Sequence, residues 1–349
     1  MRKASILALV IIAGLAGLAY ARQNAAEIEV LHVRGPIYML AGAGGNITVS
    51  AGPDGVLVVD TGLAQAADRV LAAIQNLQKQ LATNGIPEWS WGAETRSNMS
   101  RLVSPDAPVK PIRYLINTHV HADHTGGNEK LSAAGATITG GNAAGSIRDA
   151  GRGAAIIAHE EVLNRMSAPD GNLPAASFRA LPTDTYHTKR LNLSHFFNGE
   201  GVQIISEPLA HTDGDSIVVF RYSDVIATGD LFTQTSYPII DLARGGNVEG
   251  IIKALNHILE LSVSEFRTEG GTMIVPGHGR MSDAADVGYY RDMVTIIRDR
   301  VQDMINKGMT VEQVKAARPT RDYDPRYGAT SGFWTTDMFV EAVYKSLKK

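Results

Sequence analysis

The chain is 349 residues long, with 33 Lys+Arg, 36 Asp+Glu, ten His and no Cys. Zero cysteine excludes disulfide scaffolds, thiolate zinc sites, iron–sulfur clusters and cysteine nucleophiles, so any metal must sit on His and carboxylates. A net charge of -3 without a basic run leaves no electrostatic footprint for nucleic acid, and 44% hydrophobic with 20% charged residues is a globular composition.

At the N-terminus, Arg2 and Lys3 precede an apolar stretch over 6–18, followed by the small-x-small string Ala19-Tyr20-Ala21. This pattern predicts a cleavable signal peptide over 1–21 and a periplasmic or secreted protein. The stretch is shorter than the about 20 residues needed to span a bilayer, so no stable membrane insertion is expected after cleavage.

From residue 27 the chain reads as short β segments. Strands over 27–33 and 37–40 flank Gly35-Pro36, and strands over 46–50 and 56–60 flank the turn Gly52-Pro53-Asp54-Gly55. Val70, Ile74, Leu77 and Leu81 recur at helical spacing, which predicts an amphipathic helix over 64–83. Residues 84–111 carry four prolines and no period and read as a long loop, where Trp89 and Trp91 either wall a site or tack the loop down. A strand over 112–117 enters a His-rich segment. Residues 140–165 read as helical and 171–195 as polar and irregular. Strands over 202–206, 217–222, 225–227 and 273–275 follow, with an amphipathic helix on Ile251, Ile252, Leu255, Ile258 and Leu259. Beyond 283 the pattern is helical: Thr310-x-x-Gln313 forms a capping box, and a last helix over 336–347 aligns Phe339, Val343 and Leu347. The domain expectation is a signal over 1–21, one mixed domain over 22–300, and a helical extension over 301–349 packed on it.

Half of the histidines fall in three short strings. The first is Thr118-His119-Val120-His121-Ala122-Asp123-His124-Thr125-Gly126-Gly127, directly after a strand. An extended backbone points His119 and His121 to one side, and the glycines let the chain turn sharply. Four ligand-type side chains in six residues cannot all be buried without partners, and metal half-sites are the economical explanation. Ala210-His211-Thr212-Asp213-Gly214-Asp215 and Val275-Pro276-Gly277-His278-Gly279 supply further histidines, and Ala227-Thr228-Gly229-Asp230 ends a strand on a carboxylate. Imidazole with carboxylate suits Zn²⁺, and also Fe or Mn. Asp213 and Asp215 read as turn and supporting residues. Asn46 belongs to a flap or a plain hairpin, and Tyr186 to a polar loop near the mouth of a site. His32, His159, His187, His195 and His257 fall outside the motifs.

These strings, with Val58-Val59-Asp60-Thr61-Gly62 ahead of them, resemble the metallo-β-lactamase superfamily over roughly 35–279, all five motifs in order. The resemblance implies an α/β (α+β) fold, a four-layer αββα sandwich with a helical C-terminal extension and the metals at one edge between two sheets. It implies that His119, His121 and His211 hold one metal, Asp123, His124 and His278 a second, that Asp230 bridges them, and that Asp60 supports the site from behind. It further implies two Zn²⁺ per chain, a metal-bound hydroxide attacking the carbonyl of a small-molecule ester, thioester, lactone or lactam, and Asp123 as the catalytic residue that orients the nucleophile.

The Asp at 230 departs from the Cys or Ser typical of class B β-lactamases and resembles thioesterases and lactonases of the superfamily. The signal peptide points towards an exported enzyme such as a β-lactamase. The expectation is therefore an exported dinuclear zinc hydrolase, with a class B β-lactamase and a mononuclear iron oxygenase of the same fold as alternatives. Substrate identity and oligomeric state are not readable from the residues.

Overall fold

The computed structural model describes residues 27–84, 110–137, 153–168, 174–193, 196–264 and 270–348. The expected signal segment, His195, and the Trp89 and Trp91 loop lie outside the described residues. Twelve strands among the described residues form two sheets. The first runs β1 (Glu29–Arg34), β2 (Ile37–Ala41), β3 (Ile47–Gly52), β4 (Gly55–Val59), β5 (Ile112–Ile116), β6 (Ala155–His159) and β7 (Asp184–Tyr186), in that spatial order. The second places β8 (Arg190–Asn192), β9 (Val202–Ser206), β10 (Ser216–Phe220), β11 (Val225–Ala227) and β12 (Met273–Val275) side by side. In the first sheet the meander β1 to β4 is antiparallel, and β4 to β7 are parallel. Parallel pairing needs crossovers, and helix α1 (Ala67–Asn84) lies in the connection from β4 to β5.

The layering follows from side-chain alternation along each strand. Ile37, Met39, Leu57 and Val59 face inward onto Val202, Ile204, Val218 and Phe220 of the other sheet. The alternate residues Tyr38, Leu40, Val56 and Val58 face outward onto Val70, Ile74 and Leu77 of α1. On the far side, Ile205, Ile217, Val219 and Ile226 pack against helices α5 (Val248–Leu261), α6 (Ala284–Asn306) and α9 (Thr336–Leu347). The result is the αββα sandwich that the motifs imply.

The C-terminal helices are built into that core. Phe339 and Val343 are fully buried, and Phe339 stacks on Tyr237 with ring centroids 4.7 Å apart. Helix α7 (Val311–Ala317) opens with the predicted capping box, Thr310 and Gln313 each satisfying the other's backbone N–H, and the single turn α8 (Asp324–Tyr327) follows it.

Two expectations need correction. The stretch 140–165 is not one helix: among its described residues Ala155–His159 is strand β6, and helix α4 begins only at Glu160 and runs to Ser167. Ile156, Ile157 and Ala158 are buried on both faces, and a short apolar run of that kind carries no period to separate strand from helix. The polar stretch 171–195 contributes the short edge strands β7 and β8 and a 3₁₀ turn, Phe178–Ala180. Among the described residues no helix is long and apolar enough to cross a membrane.

Candidate metal centre

Strand β5 stops at Ile116, and the chain delivers Asn117, Thr118, His119 and His121 before turning into the short helices α2 (Ala122–Thr125) and α3 (Asn128–Ala133). His119 and His124 are buried, while His121 is only partly covered. His211 enters from the loop between β9 and β10, Asp230 from the 3₁₀ turn after β11, and His278 from the loop after β12. Strand ends from both sheets thus converge at one edge of the sandwich, the usual place for reactive groups in such folds.

The ligand-type atoms fall into two groups, His119, His121, His211 and Asp230, and Asp123, His124 and His278, each with its atoms within 4.8 Å of one another. Asp230 lies between them. Its Oδ2 is 3.7 Å from His211 Nε2 and 3.9 Å from His119 Nε2. Its Oδ1 is 3.3 Å from His124 Nε2 and 3.5 Å from His278 Nε2. Asp123 Oδ2 sits 3.2 Å from His278 Nε2 and 3.7 Å from His124 Nε2. All seven ligand positions named from the sequence come together.

Proton accounting shows what these atoms await. Asp60 is buried and takes a left-handed backbone, φ 62°, at the end of β4. Its Oδ1 accepts from the Thr118 N–H at 2.8 Å, and its Oδ2 from the Thr118 hydroxyl at 2.7 Å. Oδ2 also accepts from His124 Nδ1 at 2.7 Å, which leaves His124 Nε2 as a bare lone pair aimed at the cluster. The Thr118 hydroxyl proton is committed to Asp60, so its oxygen accepts from His119 Nδ1 at 3.0 Å, and His119 Nε2 is bare in turn. His211 Nδ1 donates to the Ile239 carbonyl at 2.7 Å. His121 Nε2 donates to Asp241 Oδ2 at 2.9 Å, so this ring presents Nδ1 to the centre.

His121 Nδ1 and His211 Nε2 then stand 3.0 Å apart, both without a proton on this assignment. Two lone pairs at that distance repel unless a shared cation lies between them. His119 Nε2, His124 Nε2 and Asp230 Oδ1 are also buried without a hydrogen-bond partner, a cost of about 1–3 kcal/mol each if nothing satisfied them. Buried orphan acceptors converging from two sides, with no thiol among them, fit a divalent metal cofactor.

The electrostatics agree with that reading. Burial, joined by the neighbouring imidazoles, holds His119 well below the ordinary histidine range, and burial brings His211 down to about 4. Both are therefore neutral and able to ligate. Burial alone would raise the Asp230 carboxyl, but without a metal the His124 and His278 rings take up protons, and their positive charge outweighs burial and holds Asp230 well below the carboxylate range. Burial opposes a charge on His278, yet Asp230 and Asp123 prevail and push it up to about 9. This half of the cluster attracts positive charge.

Two glycines make room. A Cβ on Gly277 would lie 2.0 Å from Asp230 Oδ1, and one on Gly45 would lie 2.5 Å from His124 Cε1. Asn46 braces the same corner, its amide donating to the Pro276 and Gly279 carbonyls at 2.9 Å each. It ties the β2–β3 turn to the Pro-Gly-His-Gly loop.

Other sequence candidates land elsewhere. Tyr186 does not reach the mouth: it is buried, with its hydroxyl 2.6 Å from Ser216 Oγ. Asp215 clamps Thr212, accepting from its N–H and its hydroxyl at 2.7 Å each, and Asp213 accepts from Arg165 at 2.6 Å. His159 caps α4, and His257 pairs with Glu207. Sequence reasoning missed Asp241. It holds His121 from 120 positions away and is itself clamped by Arg244. The string Asp241-Leu242-Ala243-Arg244 carries no motif that signals this role.

A family model described as the metallo-beta-lactamase superfamily matches residues 41–278, from the end of β2 to the last histidine. The chain belongs to the metallo-β-lactamase superfamily. No curated protein matches it. Among solved structures, a double mutant of the sec-alkyl sulfatase PisA1 superposes with TM-score 0.56 at 16% identity, covering 93% of this chain and 51% of that one. The inverting sec-alkylsulfatase Pisa1 from Pseudomonas sp. gives TM-score 0.55 at 16% identity, over 91% and 50% of the two chains. The DIM-1 metallo-beta-lactamase gives TM-score 0.50 at 13% identity, over 77% of this chain and 98% of that one. The chain spans about half the length of the alkylsulfatases it matches. At such identities the likeness shows the fold, and within this superfamily fold the His/Asp cluster is the candidate metal centre.

Proposed function

We propose that this chain is an exported dinuclear zinc hydrolase acting on a small ester, thioester, lactone or lactam. The observation that carries the reading is Asp230, whose two oxygens face two separate histidine groups. One metal would be held by His119, His121 and His211, a second by Asp123, His124 and His278, with Asp230 shared. A divalent metal held there supplies Lewis acidity and a water nucleophile active near neutral pH.

The chain's own residues supply the rest. Asp123 is part-exposed at the wall of a cavity of about 1180 Å³ that opens over the centre. Its carboxylate is placed to take the nucleophile's proton and return it to the leaving group. Asp60, Thr118 and Asp241 fix the ring tautomers so that Nε2 of His119 and His124 and Nδ1 of His121 point inward. Ile239 and Ile240 line the same cavity beside the centre and keep part of it dry.

The signal-like segment over 1–21 supports export, and Asp230 in place of Cys or Ser favours ester, thioester or lactone substrates over β-lactams. The helical segment after residue 300 belongs to the same folding unit on this reading, since Phe339 and Val343 complete the core beneath α5 and α6.

The test combines metal analysis with a substrate screen. Protein purified without added metal should carry about two zinc per chain and turn over at least one of a simple ester, a thioester, a homoserine lactone and a chromogenic cephalosporin. An alkyl sulfate ester belongs in the same screen, given the alkylsulfatase neighbours. About one iron per chain with oxygen consumption would instead favour the oxygenase alternative. Absence of turnover across the screen with zinc fully loaded would refute the hydrolase reading.

A further inference from the structure

Ten large hydrophobic side chains are notably exposed among the described residues, and three of them, Leu242, Phe333 and Met338, line the cavity over the metal centre. Phe333 is 81% exposed and Met338 43%. Such side chains scattered singly over a surface mean little, but several converging on one concavity mark an apolar ligand. Trp334, next in sequence to Phe333, is fixed in place: its indole N–H donates to the Pro238 carbonyl at 3.2 Å, and its ring packs on the helical core.

Helix α9 continues the same wall. Met338, Glu341, Ala342 and Lys345 are spaced three and four apart, so they share one helix face, and all four line the cavity. The two charged members are paired, Lys345 Nζ lying 2.6 Å from Glu341 Oε1, while Lys315 takes the other carboxylate oxygen. Arg244, at the other rim, is ion-paired with Asp241. The wall thus offers apolar surface and internally paired charges, which suits an uncharged aliphatic group rather than an anionic head group. The volume, about 1180 Å³, exceeds what a two- to four-carbon substituent would fill.

We infer that Phe333, Trp334 and Met338 form an aliphatic-chain subsite that selects substrates whose scissile group carries a medium-length linear acyl or alkyl chain. The inference rests on the hydrolase reading for its turnover arm only. It assigns to the C-terminal segment a role in substrate choice beyond completing the core.

The experiment is a chain-length series with the zinc-loaded full chain: p-nitrophenyl esters from acetate to decanoate, and calorimetric binding of butyrate and decanoate. The variants are Phe333→Ala/Met338→Ala and, as an exposed control away from the cavity, Phe178→Ala. A methylene buried on both sides is worth about a fourfold change in affinity. On a wall covering one side, about twofold per methylene is expected, so decanoate should bind about 60-fold tighter than butyrate. In the double variant that ratio should fall below about fivefold, with the control unchanged. Esters turned over without chain-length preference, or with the same preference in the double variant, would overturn the inference and leave the hydrolase reading standing. Chain-length-dependent binding lost in the double variant, with no ester turned over, would support the subsite and count against ester hydrolysis. Equal binding of butyrate and decanoate would overturn the subsite whatever the turnover.

Discussion

The Asp60→Asn variant probes the supporting layer of the metal centre most informatively, because it keeps the shape and changes only the proton count. Asp60 accepts three hydrogen bonds, from the Thr118 N–H, the Thr118 hydroxyl and His124 Nδ1, all at 2.7–2.8 Å in a buried setting. An asparagine tolerates the left-handed backbone at this position, so backbone strain does not confuse the result. Its amide has one acceptor oxygen. With that oxygen on the Thr118 N–H, the NH₂ group faces His124 Nδ1 and donates to it. The imidazole proton then moves to Nε2, the atom aimed at the cluster. With the amide turned over, NH₂ opposes the Thr118 N–H and a buried donor is left unpaired. Exchanging charge-assisted for neutral hydrogen bonds costs about 1 kcal/mol each, so three give a destabilisation of about 3 kcal/mol. For a chain of this size that corresponds to a fall in Tm of about 4 °C. Zinc affinity at the His124 group should fall about 10–100-fold, the usual cost of losing a partner behind a ligand. The assay is competition with a chromophoric chelator, counting both equivalents, beside a thermal melt. An Asp60→Asn protein that binds its second zinc with wild-type affinity would refute the tautomer argument.

Further outcomes follow from other particular contacts. Gly277→Ala places a methyl 2.0 Å from Asp230 Oδ1; bound zinc should drop below one equivalent while circular dichroism stays near wild type, and full zinc content would contradict the close approach. Tyr186→Phe removes only the bond to Ser216, so a loss of about 1 kcal/mol by denaturant titration is expected, with zinc content and turnover unchanged. Phe339→Ala opens the stacked, fully buried contact with Tyr237 and should cost about 3–5 kcal/mol; a change below 1 kcal/mol would mean that α9 is peripheral to the core. Glu341 is held down to about 2 by its hydrogen bonds to Lys315 and Lys345, and a depressed folded value contributes stability above the unfolded carboxyl pKa. The Tm difference between wild type and Glu341→Gln should accordingly be full at pH 7 and shrink as pH falls from about 4.5 towards 2.

Much of the molecule was legible in the sequence because its signals are local. Alternation along the β2–β3 and β3–β4 hairpins, the period of Val70, Ile74 and Leu77, and the Thr310–Gln313 box all depend on neighbours within a few positions. The metal-centre candidates were legible for a related reason: chemistry demands His and Asp at fixed short spacings, and Asp60, His119, His121, Asp123, His124, His211, Asp230 and His278 all stand in such strings. What was not legible is non-local. The strand over 155–159 is apolar on both faces, so nothing in its pattern separates it from a helix. The strands over 184–186 and 190–192, one at the edge of each sheet, are short and fixed only by their partners. Asp241 meets His121 across 120 positions, and its string has no spacing rule. The wall of Phe333, Trp334 and Met338 reads from the sequence as ordinary amphipathic helix and turn. Only the docking of α9 beside the centre gives those residues a cavity to line.

On the proposed function, one carboxylate, Asp230, is shared by two metals. Crystals grown with zinc and measured at its absorption edge test this most directly. Two anomalous peaks about 3.5–4 Å apart are expected, one beside His119, His121 and His211 and the other beside Asp123, His124 and His278, with an Asp230 oxygen on each. A single peak, or two peaks of which one lies away from Asp230, would contradict it.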